Sequence, residues 1–198
     1  MYGLYIDTDR NYIYACGQSI FLIFPLNGSN LPETPTTLAL GFNGMCVEKI
    51  SNSRLAIGGN NLYVSFVDIS NLNNLSLIGS VILGEIVYAL YYTEESGTEL
   101  FAAGDDIGLM IIDFSSYTNP LYLGSMGSTT SIPDGWGIDK KEDYILLAGG
   151  SRGVFIYNYD DCLSLSRPDL EISGYTIALI LVSLIGICLL MVRRIKKY

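Results

Sequence analysis

Carboxylates, cysteines and asparagines carry the chemistry open to this chain. Asp7, Asp9 and Asn11 follow the D-x-D-x-N order that opens a calcium loop, in which alternate oxygen donors wrap a hard cation. The rest of that loop is missing, since Tyr12 takes the place of the turn glycine and Gln18 that of the bidentate glutamate. Asp105 and Asp106 are adjacent carboxylates, and the preceding Gly104 makes them read as a turn rather than a ligand pair. Cys16, Cys46 and Cys162 lie far apart in sequence, unlike a C-x-x-C metal or redox pair. Cys16 reads as a packing residue, with a Cys16–Cys46 disulfide open to it in an oxidising compartment. Cys188 sits in an apolar run and reads as a small apolar side chain. Asn27-Gly-Ser and Asn74-Leu-Ser are acceptor tripeptides for N-glycosylation, which makes Asn27 and Asn74 the modification candidates.

The 198 residues contain no histidine. That removes imidazole acid–base catalysis, histidine-activated nucleophiles and most zinc or copper sites. No catalytic residue, metal or cofactor is expected. A net charge of −9 opposes nucleic-acid binding, which needs a basic face to neutralise phosphate.

The charge is unevenly placed. All 20 carboxylates lie at or before Glu171, against seven basic residues there, so this part carries a net −13. Arg193, Arg194, Lys196 and Lys197 give the last six positions +4. Between them run 21 uncharged residues, 172–192, which as a helix would span roughly 31 Å, a bilayer core. The reading is one C-terminal transmembrane helix, with Tyr175 near one interface and the basic cluster as its stop-transfer signal. Gly174 and Ala178 form a small-xxx-small pair able to support helix pairing. The positive-inside rule puts residues 193–198 in the cytosol and the acidic body outside the cell or in a lumen. The opening MYGLYIDTDRN lacks the basic start and apolar core of a signal peptide. The expectation is a longer parent protein with upstream blades and a leader; a tail-anchored chain with a cytosolic body is the alternative.

Residues 1–160 must position whatever this body presents, and they repeat at about 45 residues. GNNLYVSFVDISNLNNLSLIGS (59–80) lies on GDDIGLMIIDFSSYTNPLYLGS (104–125), and GGSRGVFIYN (149–158) continues the register. Gly59, Gly104 and Gly149 mark one repeated position, and Asp68, Asp113 and Asn158 another. GLYIDTDRNYIYACG (3–17) overlays GWGIDKKEDYILLAGG (135–150), which sets Asp7 on Asp139 and Leu4 on Trp136. In the third repeat the strands fall at 87–92, 100–103, 109–113 and 121–125, with a loop at 115–120. Four short strands per repeat is the rhythm of a β-propeller blade. The fold expected is all-β, with blades at 3–44, 45–86, 87–134 and 135–160, a linker at 161–171, and the anchor. The segment SRPDLE offers no good fourth strand to the last blade, which leaves the set of strands incomplete, and a ring of four stays open. Asp68 and Asp113 read as acceptors for the Ser-containing loop that follows each, and Trp136 as packed between blades.

GLMIID (108–113) with FSSYTNPLYLGS (114–125) resembles the LVIVD repeat, and residues 62–80 match it with Leu75 in place of proline. The resemblance implies a β-propeller with these blades as part of a larger ring of more than four, commonly in a surface or secreted protein, and transfers no catalytic residue. The expected function is non-enzymatic: recognition or adhesion toward a protein or glycan at a membrane surface, with homo-oligomerisation open. The alternatives are a fragment of a larger propeller protein without independent function, and a propeller hydrolase or lyase using carboxylates and a metal.

Overall fold

Residues 2–26, 35–126 and 135–164 are described by the computed structural model on which the following rests. Alternating apolar runs broken by Gly, Asn and Asp turns form four antiparallel sheets, each built in chain order. The first comprises β1 (Gly3–Asp7), β2 (Tyr12–Gly17), β3 (Ile20–Pro25) and β4 (Thr36–Ala39). The second holds β5 (Gly44–Ser51), β6 (Arg54–Gly59), β7 (Tyr63–Asp68) and β8 (Ser76–Ile82). In the third are β9 (Val87–Tyr91), β10 (Glu99–Gly104), β11 (Gly108–Asp113) and β12 (Leu121–Met126). The fourth has three strands among the described residues: β13 (Gly137–Lys141), β14 (Tyr144–Ala148) and β15 (Val154–Asn158). The first strands of successive sheets, β1, β5, β9 and β13, pack side by side. The architecture is a propeller-like succession of blades.

The core lies between blades rather than within a two-layer sandwich. Strand alternation sends Tyr14, Phe21 and Ile23 from blade 1 against Leu55, Ile57 and Val67 of blade 2. The opposite face of blade 2, through Ala56, Val64 and Phe66, meets Leu100, Met110 and Ile112 of blade 3. Blade 3 then turns Phe101, Leu109 and Ile111 to Ile145 and Leu147 of blade 4. These side chains are fully buried, each worth roughly 1.5–3 kcal/mol of transfer free energy for the larger ones.

The repeated Gly-Ser pair has a structural cause. Between β7 and β8 the register slips after Phe66, and between β11 and β12 it slips at the matching Ile111. Ile78 and Leu123 are the extra, bulged residues, followed by Gly79 and Gly124. A Cβ on Gly79 would lie 2.0 Å from the backbone oxygen of Tyr117 in the next blade. Gly79→Ala therefore forces blades 2 and 3 apart and is expected to cost about 3 kcal/mol, at the upper end for overpacking. Chemical denaturation of the full-length chain measures this, and a loss below about 0.5 kcal/mol, the size of an ordinary surface change, would refute the close approach.

The sequence reading is extended at one point and corrected at another. Tyr159–Ser164 form the short helix α1, which runs into the start of the expected linker at 161–171. Asn158 Oδ1 accepts the Asp160 N–H at 2.9 Å, and Asp160 and Asp161 favour the positive end of the first turn. The overlay of residues 3–17 on 135–150 also shifts by two in the first strand. The β1–β2 hairpin closes Asp7 on Tyr12, but the β13–β14 hairpin closes Lys141 on Tyr144. Lys141, not Asp139, thus matches Asp7, and Trp136 matches Tyr2. A slip of two keeps the face of each side chain, so the pattern looked correct in sequence.

Among the described residues no helix is long and apolar enough to cross a membrane. The run 172–192, the basic cluster Arg193, Arg194, Lys196 and Lys197, Gly174, Tyr175, Ala178, Cys188, Pro168 and Asn27 all lie outside the described residues.

Candidate functional site

The repeat-signature residues perform one job in three blades. Asp68 Oδ1 accepts the Ser70 N–H at 2.8 Å, Asp113 Oδ1 accepts the Ser115 N–H at 2.7 Å, and Asn158 does the same for Asp160. Each side chain closes a turn at the end of the third strand, and an amide serves as well as a carboxylate because only acceptance is needed. Asp68 also pairs with Arg54 at 2.7 Å. Its hydrogen bonds from Ser70 and the Arg54 charge hold its carboxyl below the usual range. Of the Gly positions, Gly59 lies against the Asn43 backbone oxygen, Gly104 against the Met110 methyl, and the Gly149 N–H donates to Gly153 O at 2.7 Å. Asn74 is exposed in the loop between β7 and β8, on a turn closed by its N–H to Asn71 O.

Asp7 is a structural centre rather than a cation ligand. Its side chain is 1% exposed and accepts from Lys49 Nζ at 2.9 Å, the Tyr14 hydroxyl at 3.0 Å and the Arg10 N–H at 3.2 Å. Burial alone would raise the carboxyl, but these donors outweigh it and hold it below its ordinary value. The Tyr14 hydroxyl is pushed upward, by burial and then by that carboxylate. Asp139 is exposed and turned onto the Lys140 N–H, so the two carboxylates aligned in sequence do not form a recurring pair. No cluster of three or more metal-ligating side chains occurs among the described residues.

Beside this centre opens a cleft of about 630 Å³ that spans three blades. Blade 1 supplies Tyr5 and Asp9, blade 2 supplies Glu48, Lys49 and Asn52, and Tyr92, Thr93 and Glu94 follow β9. Glu48 is the perturbed group. It lies between β5 and β9 with the Tyr92 N–H at 3.4 Å, and burial lifts its carboxyl to about 7. Lys49 is committed to Asp7, with Asp9 at 3.8 Å as a second, exposed partner. The cleft offers hydrogen bonds, negative charge and two phenol rings to a ligand. Sequence reading missed Glu48, Lys49, Tyr92 and Glu94; the available signal was two adjacent charges inside the apolar strand GMCVEKIS.

The opposite end of the first strands is apolar. Tyr2 and Trp136 donate their N–H groups to Cys16 O and Ala148 O, equivalent points of blades 1 and 4. Met45 and Tyr88 occupy the bulge at the same level of blades 2 and 3. Trp136 stacks on Tyr88 with ring centroids 4.6 Å apart, yet it remains 54% exposed, so it both packs between blades and faces solvent. The three described cysteines are buried and free. Cys46 Sγ contacts Val87 O at 3.6 Å in the cluster between blades 2 and 3, whereas Cys16 packs in the cluster between blades 1 and 2. Burial pushes the Cys16 thiol up to about 11 and Cys162 to about 12.

Comparison with known proteins bears on the fold. A chain in the crystal structure of a mitotic checkpoint complex superposes with a TM-score of 0.61 at 15% sequence identity. The likeness is one of fold. It covers 79% of this chain, and this chain spans half the length of that one. In all, 490 chains of solved structures match, which marks an architecture too widely used to carry an activity. No protein-family model and no curated protein matches the sequence.

Proposed function

We propose that the chain is a non-enzymatic recognition module: an LVIVD-type propeller held on one membrane span, outside the cell or in an endomembrane lumen. The blades belong to a larger ring. One observation carries the recognition reading: a single cleft takes side chains from three consecutive blades, as binding surfaces shared between repeats do. Its lining combines Glu48, Glu94 and Asp9 with the rings of Tyr5 and Tyr92. Such a lining suits a protein segment carrying a basic side chain, or a hydroxyl-rich glycan stacked on the rings. The membrane reading is supported by the uncharged run 172–192 and the four basic residues after it.

Binding is tested with the full-length chain in nanodiscs, against arrays of basic peptides and of glycans. The double variant Asn52→Ala, Glu94→Ala is expected to weaken the best ligand roughly tenfold or more, with folding unchanged. Equal binding by the variant for every ligand found would refute the cleft. Topology is tested by protease protection of the tagged chain in sealed membranes. Lumenal protection of residues 1–170 with glycan on Asn74 is expected, and cleavage from the cytosolic side would overturn the orientation.

A further inference from the structure

Blades 1 and 4 each present an apolar face that the described residues leave open. On blade 4, Val154 and Ile156 are 63% and 64% exposed. Their repeat equivalents are Leu109 and Ile111 in blade 3, and Val64 and Phe66 in blade 2, all 0% exposed. By strand register they also match Phe21 and Ile23 of blade 1, at 0% and 1%. On blade 1 the front face shows Tyr2, Leu4 and Ile6 at 53–55% exposure, with Ile20 at 37%. Beside them Ile13, Leu22 and Phe24 are only partly covered, where their counterparts Leu100, Met110 and Ile112 are fully buried. The two open faces are thus the two halves of the interface that already joins blades 1 to 2, 2 to 3 and 3 to 4.

Resting on the larger-ring reading, we infer that a second copy of this chain completes the ring, with blade 4 of each copy seated on blade 1 of the other. A face that has buried the same residue positions three times within the chain is complementary to its own partner half. The contact is therefore head-to-tail, and two such contacts close a two-fold ring. Two copies of four blades give eight, within the range of known propellers. Rotation about the ring axis turns the same face of both copies to the same side, as two copies in one membrane require. At the seam, Tyr2 of one copy takes the position toward Trp136 of the other that Trp136 takes toward Tyr88 within the chain.

The test uses the full-length chain in nanodiscs with Cys188→Ser, which leaves only buried thiols. Tyr2→Cys and Trp136→Cys are made in separately tagged copies and treated with a short bifunctional maleimide. Mixed copies are expected to form a covalent dimer, and neither variant alone should do so. Light scattering should give the mass of two copies. Ile156→Glu, at an exposed position that leaves monomer folding intact, should raise the dimer dissociation constant roughly tenfold or more. Self-linking by Tyr2→Cys alone, or an assembly larger than two, overturns the inference. In the cell's own membranes, faces shielded from monofunctional maleimide without a linked pair mean that another chain supplies the blades, which overturns the second copy but keeps the larger ring. A monomer labelled freely at both positions overturns the larger ring as well.

Discussion

Replacement of Asp7 by Ala is expected to destabilise the body by about 3 kcal/mol, the lower end for breaking a buried ion pair. The side chain is 1% exposed and has three donors, and its loss leaves the buried Tyr14 hydroxyl unpaired. Lys49 keeps only Asp9, at 3.8 Å and open to solvent. For a domain of this size the melting temperature should fall by about 6–12 °C. Asp7→Asn separates charge from hydrogen bonding, since the amide oxygen can still accept from Arg10 at the Oδ1 position while the amide NH2 at the other can donate to the Tyr14 hydroxyl. It should cost about half as much, a loss that reports the Lys49 charge, while the remainder in Asp7→Ala reports the hydrogen bonds. A negligible loss in Asp7→Asn would mean that the ion pair contributes nothing, and equal losses in both variants would mean that the hydrogen bonds add nothing to it. The folded-state pKa of Asp7 is depressed, so its contribution is complete above the unfolded value of 3.8 and disappears as pH falls through the lower, folded value. In the wild type this adds to acid unfolding below about pH 4, and Asp7→Asn removes that component.

Glu48→Gln is expected to act in the opposite direction. The wild-type carboxyl is raised from 4.5 to about 7 by burial, so the fold prefers it neutral. Its favourable contribution is complete below pH 4.5 and is lost as pH rises through 7. The amide of the variant is neutral at every pH, and its oxygen can still accept the Tyr92 N–H. The variant should therefore match the wild type near pH 4.5 and be more stable at pH 8 by about 2 kcal/mol, allowing for partial exposure. Denaturant midpoints measured between pH 4 and 9 check this. A parallel offset at all pH values would place the effect in packing and refute the titration. Together the two carboxylates bracket stability, since Asp7 must ionise and Glu48 resists ionising, with a maximum expected near pH 4–5.

These two residues also mark how far the sequence could be read. In the third repeat, expected strands at 87–92, 100–103, 109–113 and 121–125 meet observed strands Val87–Tyr91, Glu99–Gly104, Gly108–Asp113 and Leu121–Met126. Strand positions were legible because a period-two apolar pattern between Gly and Asn turns is a local signal. The turn role of Asp68 and Asp113 was legible for the same reason, as each bonds a residue only two positions away. Asp7 was misread as a loop residue equivalent to Asp139, because its partner Lys49 lies 42 residues on, in the next blade. Glu48 was overlooked because its environment comes from β9, more than 40 residues away.

By itself the sequence determined the repeat, the four sets of strands, the acidic body and the basic tail. Each of these depends on residue order or on a spacing of a few positions, or on the 45-residue period that makes one blade resemble the next. Only the tertiary structure decided which face of each blade is buried, where the cleft opens, and which carboxylate is held charged and which is pushed neutral. Those properties arise between blades, where burial and partner charges are set by packing side chains distant in sequence, and no local pattern records that packing.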